Sequence, residues 1–212
     1  MEKNVIEFYV LCNKLKNVIR TGWLDWNVER KRVESIAEHI YGVQMLALAM
    51  YSEYEYDLDI KKVIYMLAVH ELGEIIIGDL TAFQINSDDK TKEEHEAVHD
   101  ILKSLLKGKE IEDLFLEFDE HKTPEALFAY ECDKLECDIQ CKIYDEEHCV
   151  DVYHQEGSKA AENGEVQVLL NAGKTWSEMW IEYDQKHYPY DENFLKISNY
   201  IKENNILEKE EQ

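Results

Sequence analysis

The chain has 212 residues, a hydrophobic fraction of 45% and a formal net charge of −23. Its length and apolar content suit one domain with a sizeable core, and its charge excludes partners that repel an acidic protein, namely nucleic-acid polymers and anionic membrane surfaces. Glycine (8 residues) and proline (2 residues) are so sparse that long segments run uninterrupted, which favours helices over a loop-rich β fold.

Residues 5–19 carry Val5, Phe8, Tyr9, Leu11, Cys12, Leu15, Val18 and Ile19 at helical spacing. Arg20-Thr21-Gly22-Trp23 breaks that pattern and reads as a loop. Residues 32–52 form a second amphipathic helix with Ile36, Ile40, Val43, Ala47 and Met50 as its stripe and His39 beside it. Asp59 is placed to cap a helix over 60–71. The stretch 72–90 reads as a connection containing Gly78-Asp79-Leu80-Thr81. Residues 91–107 are amphipathic, and 110–121 form a short acidic helix. Pro124 opens a long helix over 124–147 that carries Ala126, Ala129, Tyr130, Asp133 and Cys137 on one face. Residues 158–171, 175–186 and 191–203 read as further helices packed on the outside, before a charged, frayed tail from Glu208 to Gln212. The expectation is an all-α bundle forming one domain over 1–212, with its core over 20–150 and added C-terminal helices over 155–205.

The five cysteines, Cys12, Cys132, Cys137, Cys141 and Cys149, contain no C-x-x-C pair and fit reduced thiols in a cytosolic protein. Met1-Glu2-Lys3-Asn4 lacks a basic-then-apolar signal pattern, and the longest apolar runs are too short to span a bilayer. The expected setting is cytoplasmic, with no membrane partner.

The chemistry concentrates around His70-Glu71-Leu72-Gly73-Glu74, which closes the apolar run Val63 to Val69. Ionisable groups there are costly to bury unless paired or metal-bound. On a continued helix Glu74 would lie one turn beyond both His70 and Glu71, so that the three converge. His39 and Asp133 are polar residues on two other apolar faces. A lone histidine beside an apolar stripe is more often a hydrogen-bonded core residue, and a lone helical aspartate is usually solvated. Four N/O ligands drawn from three helices, however, suit a divalent metal such as Mn, Fe, Co or Ni, with positions open for water and substrate.

The order His39, then His70-Glu71, then Asp133 resembles the H…HD…D signature of HD-domain metal-dependent phosphohydrolases. The wider set is similar to the 5′-deoxynucleotidase branch: Arg20-Thr21-Gly22-Trp23, Glu34-Ser35-Ile36-Ala37-Glu38-His39, His70 to Glu74, Gly78-Asp79-Leu80-Thr81 and Glu131-Cys132-Asp133. The resemblance implies His39, His70, Glu71 and Asp133 as ligands of a divalent cation (Co, Mn, Fe, Ni or Zn). It implies Glu74 as the catalytic acid and Arg20 as the group that orients the phosphate. Thr21, Trp23, Asp79, Leu80, Thr81 and Ala82 fall in the nucleotide-contacting set, with Trp23 beside the sugar. The implied reaction is hydrolysis of a deoxyribonucleoside 5′-monophosphate. A homodimer is implied too, with spare aromatic residues on the later helices. The chain departs from the signature in having Glu71, one methylene longer, in place of aspartate. The alternative from another class is a non-catalytic HD-fold nucleotide sensor.

His95-Glu96-Ala97-Val98-His99 matches the zinc-protease pattern H-E-x-x-H. No Gly and third His follow at metzincin spacing, and the flanking residues, Lys92-Glu93-Glu94 through Lys107, read as a surface helix.

Overall fold

A computed structural model describes residues 1–80 and 87–207 of the chain. The expected frayed tail, 208–212, lies outside the described residues. The described chain is all-α: beyond an isolated bridge between Ile19 and Ser35, it contains no β structure. In chain order the helices are α1 (Glu2–Cys12), α2 (Thr21–Asp25), α3 (Ile36–Glu53), α4 (Ile60–Leu67), α5 (Glu74–Ile77), α6 (Ser87–Leu102), α7 (Gly108–Glu120), α8 (Pro124–Glu146), α9 (Gly164–Asn171), α10 (Trp176–His187) and α11 (Glu192–Glu203). Contacts divide the chain into two compact units. Unit 1 comprises Met1–Thr21 and Glu34–Cys132; unit 2 comprises Gly22–Val33 and the chain from Asp133 onward.

In unit 1, α1 ends at Cys12, short of the helix expected over 5–19. The chain tightens into a 3₁₀ turn over Asn13–Asn17, and Val18 is extended. The helix stops because residues 18–20 pair instead with 34–36: Arg20 N donates to Glu34 O at 3.1 Å and Ile36 N to Val18 O at 2.9 Å. That pairing also shortens the helix expected over 32–52. It begins at Ile36, where the capping box of Ser35 and Glu38 satisfies the first turn. Asp59 caps α4 as expected, accepting from Lys61 N and Lys62 N.

The helix expected over 60–71 stops at Leu67. Tight turns follow, with Val69 N donating to Met66 O, Leu72 N to Val69 O and Glu74 N to Glu71 O. His70 and Glu71 therefore sit on a tightened turn, and Glu74 opens the separate short α5. Gly73 suits the close packing there, because a Cβ on it would lie 3.0 Å from Glu94 Cγ and 3.2 Å from Glu94 Cα and would press Glu94 aside. Gly78 ends α5 at φ +80°, a conformation that strains residues with a side chain. Val69, Leu72, Val98, Ile101, Leu102 and Phe115 form a buried cluster beneath this turn.

In unit 2, the C-terminal helices contribute to a buried core. Trp176 and Met179 from α10 and Val166 and Leu169 from α9 pack with Trp23, Trp26, Cys141 and Tyr144. Trp23 meets Tyr144 edge-on, with ring centroids 5.3 Å apart and planes at 89°, a favoured aromatic geometry. The helix expected from 158 begins only at Gly164, where Asn163 accepts from Glu165 N and Val166 N. The preceding turn is instead tied down by Asp25, which accepts from Ser158 Oγ, Lys159 N and Ala160 N.

Unit 2 also buries two carboxyl groups, Asp138 and Asp184, which act on each other electrostatically. The Tyr190 hydroxyl donates to Asp138 Oδ2 at 3.0 Å. Burial pushes both carboxyls up, Asp184 to about 6 from an ordinary 3.8. A carboxyl whose folded pKa is raised holds its stabilising contribution below the unfolded pKa and loses it as pH rises through the folded pKa. Asp184→Asn cannot ionise, so it removes a pH-dependent loss on the order of 2 kcal/mol. Melting curves at about pH 4 and about pH 8 should show a narrower gap in Tm for this variant than for the wild type.

Candidate metal centre

His39 lies one turn inside α3, fully buried, with its backbone N donating to Ser35 O at 3.0 Å. The capping box that starts this helix therefore also sets the depth of His39. Pairing of 18–20 with 34–36 brings Arg20 to the same end of α3. The turn after α4 supplies His70 and Glu71. Glu71 Oε1 lies 3.6 Å from His39 Nε2, 3.7 Å from His70 Nε2 and 2.9 Å from Arg20 Nη1. Ligand atoms of His39, His70 and Glu71 all fall within 4.8 Å of one another.

The donor set passes a chemical test for a divalent cation. His70 Nδ1 lies 2.7 Å from Leu67 O. A carbonyl can only accept, so in the neutral ring Nδ1 carries the proton and Nε2 presents its lone pair toward Glu71 and His39. That is the tautomer of a metal-ligating histidine whose other nitrogen is held by a backbone carbonyl. Phe118 of α7 backs the His70 ring edge-on, with centroids 5.1 Å apart. Two imidazoles and a carboxylate suit Zn, Fe, Co, Ni or Mn rather than Ca or Mg.

Glu74 is 3% exposed, and its Oε2 has no hydrogen-bond partner among the described residues. Burial raises its pKa well above the usual carboxylate range, the charges of Glu71 and Asp79 raise it further, and Arg20 and Lys90 pull it back. Such balanced opposing influences are characteristic of acid–base groups in clefts. Lys90 of α6 lies 3.6 Å from Glu74 Oε1 and 3.4 Å from Glu94 Oε1. Lys90 and Glu94 escaped the sequence reading, where they are an ordinary i, i+4 pair in a charged helix.

The remaining expected site residues divide. Thr21 and Asp79 are bound to each other: Thr21 N donates to Asp79 Oδ2 and Thr21 Oγ1 to Asp79 O, both at 2.6 Å. Arg20 Nε lies 4.0 Å from Asp79 Oδ2. Leu80 follows, half-buried, while Thr81 and Ala82 lie outside the described residues. Trp23 falls not on a loop but in α2, is 2% exposed and is enclosed by Tyr144, Trp176 and Trp180. This is a core position of unit 2, with almost no surface to lay against a sugar. Asp133 is in unit 2, buried on α8, with its carboxylate 2.8 Å from Lys134 Nζ.

The protease-like pair does not converge. His95 Nε2 meets Asp119 at 2.7 Å, and His99 Nδ1 meets a different α7 carboxylate, Glu112, at 3.2 Å. Glu117 is engaged by Lys62 Nζ and Thr123 Oγ1, both at 2.6 Å. Cys132, Cys137, Cys141 and Cys149 are buried and Cys12 is half-buried, and no disulfide joins any of them among the described residues.

An all-helical fold carrying a His, His-carboxylate centre defines a class, and the match to the HD domain family model over residues 12–168 shows that the chain belongs to it. Among its relatives is the 5′-deoxynucleotidase HDDC2 of Dictyostelium discoideum, 36% identical over 152 residues, covering 68% of this chain and 79% of that protein. Another is the 5′-deoxynucleotidase hdd1 of Schizosaccharomyces pombe, 31% identical, covering 67% of this chain and 73% of that protein. The crystal structure of the PH0347 protein from Pyrococcus horikoshii OT3 is similar with a TM-score of 0.66 and 26% identity, covering 93% of this chain and 98% of that one.

Metal content measured by elemental analysis after loading should fall strongly in His39→Ala and His70→Ala. It should be unchanged in His95→Ala, because His95 is committed to Asp119. Ligation needs neutral imidazoles, so retention should weaken as pH falls below the ordinary histidine range.

Proposed function

We propose that the chain is a metal-dependent 5′-deoxynucleotidase, which hydrolyses deoxyribonucleoside 5′-monophosphates to deoxynucleoside and phosphate. The observation that carries this reading is the meeting of His39, His70 and Arg20 at Glu71 Oε1, in a chain of the HD-domain family whose relatives bear that name. Asp133 is assigned as the fourth ligand from the order of the sequence motif. Mn, Fe, Co, Ni and Zn remain the candidate ions. The working form is taken to be a cytoplasmic homodimer.

A bound divalent cation would lower the pKa of its water and draw charge off the phosphoryl oxygens. The chain's own groups do the rest. Arg20 offers planar, paired donors that match phosphate oxygens and brings positive charge into a strongly acidic protein. Glu74 takes the proton of the attacking water at Oε2. The water oxygen bonds to phosphorus as the P–O5′ bond breaks, the electron pair of that bond leaves on O5′, and O5′ takes up the proton that Glu74 removed from water, which gives the free nucleoside and restores the Glu74 carboxylate. Thr21 and Asp79 brace the segment that presents Arg20. The longer Glu71 side chain reaches both the histidines and the guanidinium, so it links ion and phosphate recognition.

Phosphate release from a panel of deoxyribo- and ribonucleoside monophosphates tests the proposal. Release should require added metal and favour the deoxy series. Glu74→Gln should lower kcat by about 10²–10⁴-fold, the usual contribution of a positioned acid–base group. Arg20→Gln should depress kcat/KM while a metal ion is still retained. Metal-independent release would defeat the reading, and tight nucleotide binding without turnover would point to the sensor.

A further inference from the structure

Lys90 is a cation of unit 1 to which neither the sequence motif nor the mechanism above gives a task. It projects from α6 with its side chain 27% exposed, and its ammonium lies 3.6 Å from Glu74 Oε1 and 3.4 Å from Glu94 Oε1. The carboxylates of Glu94, Glu74, Glu71 and Asp79 all act on it, and together they outweigh the burial that would otherwise favour its neutral form. A lysine in such a place stays charged. Only one oxygen of Glu74 faces it; the other, Oε2, is buried without a hydrogen-bond partner among the described residues.

A carboxylate can rotate about its last bond, and a cation held on one oxygen stops that rotation. We propose that Lys90 is a positioning residue for the reaction: with Glu94 as its anchor, it clamps Glu74 Oε1 so that Oε2 is the oxygen presented to the attacking water. The proposal rests on the deoxynucleotidase reading for the identity of the reaction, but the clamp itself is a property of the protein without substrate. Gly73 supports it, because a Cβ there would lie 3.0 Å from Glu94 Cγ and would press Glu94 out of its present position. An ammonium at 3.6 Å from a group that must keep accepting protons is better suited to orienting it than to binding substrate in its place.

Two measurements separate the clamp from the reaction. In the first, Lys90→Met and Lys90→Arg are compared in the metal-loaded enzyme. Lys90→Met should lower kcat about tenfold or more with KM nearly unchanged, because misplaced acid–base groups lose rate rather than affinity. Lys90→Arg should recover much of the loss, since it restores a cation. Unaltered kcat, or a rise in KM alone, would overturn the proposal; the latter would make Lys90 a phosphate contact. The second measurement is the Tm of the metal-free protein in a double-mutant cycle with Glu74→Gln. Lys90→Met should lower Tm by roughly 2–4 °C more when Glu74 is present than when it is glutamine. Equal losses in the two backgrounds would overturn the clamp, whatever the activity. A wild-type protein that releases no phosphate would defeat the proposed function, while the Tm cycle would still decide whether Lys90 holds Glu74.

Discussion

One carboxylate oxygen, Glu71 Oε1, organises the candidate centre. Two imidazole nitrogens and a guanidinium from three different parts of unit 1 face it at 3.6, 3.7 and 2.9 Å. Burying a charged oxygen is expensive unless opposite charge or a metal compensates it. That cost explains why the surrounding backbone is so heavily specified. The 18–20 and 34–36 pairing delivers Arg20, a capping box sets His39, and a carbonyl of the preceding turn fixes the His70 ring. Each device uses hydrogen bonding to hold a group that would otherwise have no reason to stay.

Helix content and several boundaries were legible because they rest on local rules. Asp59 caps α4, and Pro124 opens the long α8, as short-range chemistry requires. Departures came where nonlocal contacts override periodicity. Val18 and Ile19 fit a helical stripe, yet they leave the helix to pair with the segment before α3. His70, Glu71 and Glu74 do gather, but through a tightened turn rather than the continued helix that made their spacing attractive. Trp23 lies three positions after Arg20 in sequence, and only the aromatic surroundings of unit 2 reveal it as core. Lys90 carried no signal at all, since a Lys-x-x-x-Glu pair in a charged helix is commonplace.

The two histidine patterns show what spacing can and cannot decide. His95 and His99 have the better local motif, with both imidazoles on one helix. Their environment separates them, because α7 offers each its own acid, Asp119 and Glu112. His39 and His70 are thirty-one positions apart and share no local motif. They face one another because α3 and the turn after α4 both close on Glu71. The partner carboxylates, not the spacing, distinguish a pair of solvated ion pairs from a candidate centre.

The contact at Gly73 has an evolutionary corollary. With Glu94 Cα 3.2 Å from where a side chain would begin, an added carbon at 73 requires Glu94 to give way by a few tenths of an ångström. Variation that keeps this approach intact and still retunes the site is left to the lengths of the charged side chains, as the extra methylene of Glu71 illustrates.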